Sequence, residues 1–424
     1  MPTLRDENSF LTLGGVRLID LLANHSTPTS AYDLDGITAE ARDLRTAFDD
    51  APHLVAYAVK ANSAGAIVRS LASQGCGADV VSGAELQVAL GAGVPPHRIV
   101  YSGVAKRDDE LRLALCVEGQ GILAVQLESL EEIARIDAIA RSLGLRGQVS
   151  IRMNPSVDFD TLDTHAFIAT GHDEAKFGVA RADMSDALDR VLRSSCLELV
   201  GIAVHVGSQF TSTAAYVEAA RVAFEVAREA RNKGASLRFV DTGGGFGIDY
   251  GQGCPVRPCD FVRAARQAQR DAQLDDLALF VEPGRALVAA HGVLLARVLQ
   301  PKVSGARRWL LVDAGMNDLL RPALYQAHHR VVSLEPVEGP QETWRVAGPV
   351  CESSDDFGMH SLPSVPPRAV ALLDAGAYSY TMASRYNGRE LAPEVFLRGG
   401  LVESSTARQP TEHWVEERLR AGLL

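Results

Sequence analysis

Nowhere in the chain do about 18 apolar residues run together, so nothing in it reads as a membrane-spanning helix. Positive charge is also scarce. Lys and Arg number 42 against 53 Asp and Glu, a net charge of −11, which leaves no electrostatic footprint for nucleic acid. The carboxylate excess favours solubility. A basic-then-apolar leader is missing from the start, Met1-Pro2-Thr3-Leu4-Arg5-Asp6-Glu7-Asn8, and the chain reads as cytoplasmic. Six cysteines in 424 residues are too few for a disulfide scaffold. Cys254 and Cys259 flank four residues that include Pro255 and Pro258, with no His or Cys pair nearby, so no metal site is expected. Most of the thiols read as small buried apolar residues. No short fixed repeat and no low-complexity linker occurs.

An apolar share of 46% and a charged share of 22% exclude a disordered, collagenous or coiled-coil protein. Short β-branched runs alternate with helical patterns, the mark of βα units on a parallel sheet. The runs are Leu54–Ala61, Ala78–Ser82, Arg98–Ser102, Gly121–Leu127, Val149–Asn154, Val200–Val206, Arg238–Gly243 and Ala278–Glu282. Amphipathic stretches such as Ala84–Gly91 and Leu130–Leu143 follow them. Eight such units over about 250 residues predict a (β/α)₈ TIM-type barrel. A doubly wound sheet would show fewer strands and a Gly-rich turn after the first.

Past residue 286 the rhythm changes. Val293–Leu299, Arg308–Val312, Thr343–Val346, Ala369–Leu373 and Val395–Val402 are strand-like with short connections, which predicts an antiparallel β-sandwich or barrel. The N-terminal segment precedes the first barrel strand and is expected to join it. The predicted domains are therefore 36–285, and 1–35 with 286–424. Segment 158–178 makes one βα loop long, and long loops at a barrel mouth are usually functional.

Several motifs sit at the C-terminal ends of predicted strands, where barrels place their chemistry. Lys60 in Ala56-Tyr57-Ala58-Val59-Lys60-Ala61-Asn62 is either a snorkelling surface lysine or a Schiff-base former. Gly243-Gly244-Gly245-Phe246-Gly247 is either a tight turn or a nest of N–H groups for a phosphate. Glu282 in Glu282-Pro283-Gly284-Arg285 needs a partner if buried: Arg285, or a protonated heterocycle nitrogen. His205 in His205-Val206-Gly207-Ser208-Gln209 shares the same barrel end.

With Cys351-Glu352-Ser353, this constellation resembles the alanine-racemase-like (fold type III) pyridoxal-phosphate decarboxylases, and among them the diaminopimelate decarboxylases. The match runs from about residue 30 to 400 in family order. The resemblance implies a homodimer of barrel plus β-domain with active sites shared between subunits. It implies that Lys60 carries pyridoxal 5'-phosphate, that His205 stacks on its ring, and that Glu282 pairs with its pyridine nitrogen. Ser208, Gly244, Gly245, Gly284 and Arg285 would hold the rest of the cofactor, chiefly its phosphate. A carboxylate at that nitrogen keeps the electron sink protonated, which suits decarboxylation. Cys351 would return a proton to Cα after CO₂ leaves, against its alternative as an inert thiol.

Asp313-Ala314-Gly315-Met316-Asn317-Asp318-Leu319-Leu320-Arg321-Pro322-Ala323-Leu324-Tyr325 resembles the family's substrate-selecting stretch. Arg321, Tyr325 and Arg285 would grip a distal carboxylate, for which a guanidinium fork is suited. Otherwise Arg321 is a surface arginine capping a helix. Glu352 would meet the distal ammonium, and Tyr378 would lie against cofactor and substrate. Asn154–Asp158, Thr164–Gly171 and Lys176-Phe177-Gly178 resemble an active-site loop with a longer spacer, Phe159–Asp163. Arg385-Tyr386-Asn387-Gly388-Arg389-Glu390 departs from the family, where Asn precedes the Tyr and Pro follows an Arg. The implied reaction is meso-2,6-diaminopimelate to L-lysine and CO₂, the last step of lysine biosynthesis. The alternatives are a same-fold decarboxylase of ornithine, arginine, lysine or a D-amino acid, and a non-catalytic pyridoxal-phosphate-binding regulator.

Overall fold

The computed structural model describes residues 3–156, 175–254 and 256–420. Thr38–Ile248 with Cys254–Ala286 form one compact unit; Met1–Ile37, Asp249–Gly253 and Leu287–Leu424 form the other. The short piece Asp249–Gly253 falls in the second unit and not, as its sequence position suggests, with the barrel. There the buried Tyr250 ring meets the His329 ring edge-on at 5.2 Å and lies 4.8 Å beneath the Arg321 guanidinium.

In the first unit eight parallel strands close on themselves: His53–Ala58, Gly77–Val80, Ile99–Tyr101, Ala124–Leu127, Gly147–Asn154, Leu197–Val204, Phe239–Asp241 and Ala278–Val281. The last pairs with the first, Leu279 opposite His53, so the sheet has no free edge within this ring. Each expected run overlaps one of these strands, and four of the strands begin one to three residues before their run. The first strand is shorter than expected: it stops at Ala58, and Lys60 sits in the 3₁₀ turn Val59–Ala61. The intervening helices start on chemistry legible in the sequence. Ser129 caps Leu130–Leu143 by accepting the Glu132 N–H at 3.2 Å, and Gly144 closes it at φ +66°. Ile133, Ile136, Ile139 and Ala140 recur at helical spacing and form its buried stripe.

The second unit is built on the 13-residue strand Gly292–Ser304. Its first residues are buried on both faces. Leu294 and Ala296 enter one core with Val312, Trp344 and Leu372, while Val293 and Leu295 enter another with Leu13, Ala371 and Val395. A strand covered on two sides reads as a continuous apolar run instead of an alternating one. The sheet is mixed, which corrects the antiparallel expectation. Thr29–Asp33 runs parallel to Glu394–Arg398, and Arg307–Val312 runs parallel to Gln341–Ala347. Val395–Val402 is a hairpin and not one strand, broken where Gly399 and Gly400 both take positive φ. Among the described residues no helix is long and apolar enough to cross a membrane. All six cysteines are free, but only Cys76 is buried; Cys116 and Cys351 are exposed and the other three are half-buried. The expectation of mostly buried thiols fails because the rest lie on helix ends and loops.

Candidate active site

Strand periodicity builds the barrel's interior in layers, since every second side chain faces the axis. Val100, Ala124, Phe239 and Phe280 form an apolar floor, with the two phenyl rings stacked at 4.2 Å. Two residues further along the same strands come Ser102, Gln126, Asp241 and Glu282, all buried. The site is thus a polar layer on a dry base, at the C-terminal ends of the strands.

Lys60 Nζ donates to Asp79 Oδ2 at 2.5 Å, and Asp79 Oδ1 takes the Ser102 hydroxyl at 2.5 Å. Asp79 is 0% exposed while a third of the lysine side chain remains accessible, so the amine is oriented by a fixed anion and still open to attack. His205 Nδ1 accepts the Gly244 N–H at 3.2 Å, which puts its proton on Nε2. Burial, then the charges of Arg152 and Lys60, push its pKa well below the ordinary value. Its Nδ1 lies 3.9 Å from Glu282, but a neutral imidazole makes no ion pair there. Gly245 adopts φ +88°, and any side chain there would strike the Gly207 carbonyl and the Phe210 ring. A Cβ on Gly244 would strike the Glu282 carbonyl. Arg285 opens a short helix, is buried, and donates to Ser208 Oγ at 2.9 Å. Gly284 packs beside Ala58 and Ala61, next to the lysine turn.

Several residues of this cluster were not singled out from the sequence. Gln126 Nε2 reaches Glu282 at 3.1 Å and Asp241 at 3.4 Å, and Asp241 also takes the Gly243 N–H at 2.8 Å. Arg152 bonds Glu128 at 3.0 Å, whose carboxylate also accepts the N–H groups of Gly103 and Gly178, both at 2.8 Å. Burial first, then the Asp241 charge, raises the pKa of Glu282 well above the carboxylate range. The signal that was available is polarity at inward strand positions, two residues past the apolar floor. Of the expected active-site loop, residues 157–174 lie outside the described residues, including the spacer Phe159–Asp163 and Thr164–Gly171.

In the second unit Arg321 begins the helix Arg321–Tyr325 and is buried, which overturns the surface reading. It bonds His329 Nε2 at 2.6 Å, and His329 reaches the Leu373 carbonyl at 2.9 Å. Tyr325 is half-buried at the other end of this helix. Tyr378 takes φ +55°, a conformation bulky residues seldom hold. Cys351 and Glu352 are exposed. They are tied to the stretch that departs from the family pattern: Asn387 Oδ1 takes the Cys351 N–H at 2.8 Å, and the Tyr386 hydroxyl donates to Glu352 at 2.6 Å.

The pyridoxal binding domain of the pyridoxal-dependent decarboxylases matches residues 34–289. The chain is 38% identical to the diaminopimelate decarboxylase of Zymomonas mobilis, covering 99% of both chains. The chain belongs to the diaminopimelate decarboxylase family. Solved structures of this family superpose throughout: the Helicobacter pylori enzyme complexed with L-lysine has a TM-score of 0.86 at 38% identity, covering 94% of this chain and 99% of that one. The M. jannaschii enzyme in co-complex with L-lysine has a TM-score of 0.91 at 31% identity, covering 98% and 97%.

The residues present fit the family's cofactor. Glu282 is a buried carboxyl that water cannot ionise cheaply but a protonated heterocycle nitrogen can. The glycine loop has no room for a Cβ at Gly244 or Gly245, a close backbone approach, and Arg285 with Ser208 adds a cation and a hydroxyl suited to a phosphate. Lys60, held by Asp79, is the amine that an aldehyde requires.

Proposed function

We propose that the chain decarboxylates meso-2,6-diaminopimelate to L-lysine and CO₂, using pyridoxal 5'-phosphate. The observation that carries this is Lys60, Glu282 and the glycine loop gathered at one end of a single barrel, in a chain that matches this family over nearly its whole length. Bound, the cofactor supplies an electron-withdrawing pyridinium that takes up the electron pair left on Cα when CO₂ departs.

The chain's own residues do the rest. Lys60 binds the cofactor covalently, and Asp79 orients its amine. His205, neutral at working pH, presents an uncharged ring for stacking, with its tautomer set by the Gly244 N–H. Glu282 keeps the heterocycle nitrogen protonated. Ser208, Gly244, Gly245, Gly284 and Arg285 hold the phosphate, and Tyr378 lies against the cofactor. Arg321, Arg285 and Tyr325 are assigned to the distal carboxylate, and Glu352 to the distal ammonium. Cys351 is the proton donor to Cα.

We further propose a cytoplasmic homodimer in which Cys351 and Glu352 serve the partner's site. Both are exposed, as are the apolar side chains of Leu299, Val303 and Leu401 in the same unit. The test is CO₂ release, with added pyridoxal phosphate, from meso-, LL- and DD-diaminopimelate beside lysine and ornithine. The meso diacid should be preferred over lysine by about 10⁴–10⁵, as for sites built to bind a polar group the analogue lacks. Equal turnover of ornithine, lysine and diaminopimelate would overturn the assignment.

A further inference from the structure

The stretch that departs from the family pattern is bonded to the Cys351-Glu352 pair residue by residue. The Tyr386 hydroxyl donates to Glu352 Oε1 at 2.6 Å, and Asn387 Oδ1 accepts the Cys351 N–H at 2.8 Å. Arg389 Nη2 adds a bond of 3.4 Å to the Pro349 carbonyl. Cys351 and Glu352 are exposed, and so is Tyr386 at 45%. An exposed glutamate otherwise turns about its side-chain bonds, and ordering such a side chain on binding costs about 0.5–1.5 kcal/mol. Among the described residues no Lys, Arg or His forms an ion pair with Glu352, so its charge stays available to a ligand.

We propose that Tyr386 is a positioning residue that makes the site select a distal ammonium, by fixing the direction of the Glu352 carboxylate. This rests on the functional reading above, which assigns Glu352 to that ammonium. A neutral donor suits the task. The hydroxyl takes one lone pair of Oε1 and leaves Oε2 and the negative charge for the ligand, whereas a lysine or arginine there would neutralise the anion. A contact of 2.6 Å has the length of a charge-assisted bond from a hydroxyl to a carboxylate. The hydrogen bond to Glu352 and the charge of that carboxylate raise the phenol's pKa, so Tyr386 stays the donor at neutral pH. The Cys351 N–H bonds Asn387 and not Tyr386, so the hold on the thiol's backbone is separate from the hold on the carboxylate.

The turn that presents Tyr386 is itself backed by the C-terminal helix Thr411–Arg420. Asn387 and Gly388 take φ +56° and +70° within the 3₁₀ turn Tyr386–Gly388, and asparagine and glycine are the residues that tolerate such angles. The Trp414 ring of that helix lies against Gly388, where an added Cβ would come within 3.0 Å of it. Arg385, before the turn, pairs with Glu417 at 3.4 Å and donates to Gln409. Glu390, after it, accepts the Thr411 hydroxyl and pairs with Arg408 at 3.5 Å. The two departures from the family pattern, Arg385 and Glu390, are thus both ties to the C-terminal segment that supports the turn.

The experiment uses the full chain with pyridoxal phosphate and a probe that lacks only the distal amine. Conversion of the meso diacid to L-lysine leaves the L centre in the product, so the reacting centre is D. The probe is therefore D-2-aminopimelate, read as a competitive inhibitor. Tyr386→Phe keeps the ring and removes the donor. KM for meso-diaminopimelate should rise about 10-fold, the scale of one hydrogen bond to a charged group, with kcat held within about two-fold. The inhibition constant of D-2-aminopimelate should not change. Added to Glu352→Gln, the same substitution should weaken diaminopimelate no further, because the anion it orients is gone. Equal weakening of both ligands, an unchanged KM, or additive effects in the double variant would overturn the role of Tyr386 alone. If Glu352→Gln leaves the preference for diaminopimelate over D-2-aminopimelate intact, the role of Tyr386 falls together with the assignment of Glu352.

Discussion

Arg321 illustrates why residue identity matters more here than charge. Its guanidinium is buried, clamped by His329 and stacked over Tyr250, so its fork is aimed before any ligand arrives. Lysine in its place would keep the charge and lose both the fork and the stacking. Arg321→Lys is expected to raise KM for diaminopimelate by about 10–100-fold, the loss of one charge-assisted hydrogen bond of about 1.5–3 kcal/mol. Steady-state kinetics check it, and an unchanged KM would remove Arg321 from substrate binding. The arginine was visible in the sequence by resemblance. Its burial was not, because Pro322 and Tyr325 around it fit a surface turn equally well.

At the scale of elements, the turns after strands carry the site and the helix caps carry stability. Gly245→Ala places a methyl group against the Gly207 carbonyl at a backbone angle alanine resists. Cofactor affinity should fall by about 10-fold or more, a cost of about 1.4 kcal/mol, while far-ultraviolet circular dichroism stays unchanged. Titration of the cofactor's absorbance measures it. Ser129→Ala removes the acceptor for the Glu132 N–H. It should lower unfolding free energy in urea by about 1 kcal/mol, the usual value of a helix cap. The loss is expected in stability and not in turnover, since the helix packs outside the barrel strands. These caps were legible as Ser followed three residues later by Glu, at both Ser82 and Ser129.

For the whole molecule, assembly and pH response are the tests. Cys351→Ala should cut kcat by about 10²–10⁴, the usual contribution of a general acid. Lys60→Ala should abolish turnover. If sites are shared between subunits, mixing the two inactive variants should restore part of the activity, because mixed dimers contain one intact site. No recovery after confirmed subunit exchange would place both residues in one subunit's site. The pH response comes from buried carboxyls. Burial lifts Asp318 from 3.8 to about 7, so between those values the folded chain carries a proton that the unfolded chain has lost. Stability must therefore fall as pH rises through that window. Asp241 and Glu394, each also raised to about 7, act with the same sign. Asp318→Asn keeps an acceptor for the Gly315 N–H and removes one titrating group, so its melting temperature should decline less between pH 5 and 7, roughly the window set by linkage. Parallel curves for variant and wild type would show that Asp318 ionises in place.

The sequence by itself determined the eight strand-and-helix units, the helix caps, and the placement of Lys60, His205, the glycine loop and Glu282 at strand ends. These are local matters: side-chain periodicity, turn chemistry and short motifs act within a few residues of the chain. Only the tertiary structure decided which polar side chains meet. Asp79 finds Lys60, Gln126 bridges Asp241 and Glu282, and Glu128 collects Arg152 with the N–H groups of Gly103 and Gly178, because closing the barrel brings together residues up to 156 positions apart. It also decided the mixed sheet of the second unit. The short runs Arg307–Val312 and Glu394–Arg398, which make the parallel pairs, allow either strand direction, and the partner that reaches each edge depends on how the intervening chain returns. Burial set the remaining chemistry, since a carboxyl group's proton affinity depends on what surrounds it and the chain order does not state its surroundings.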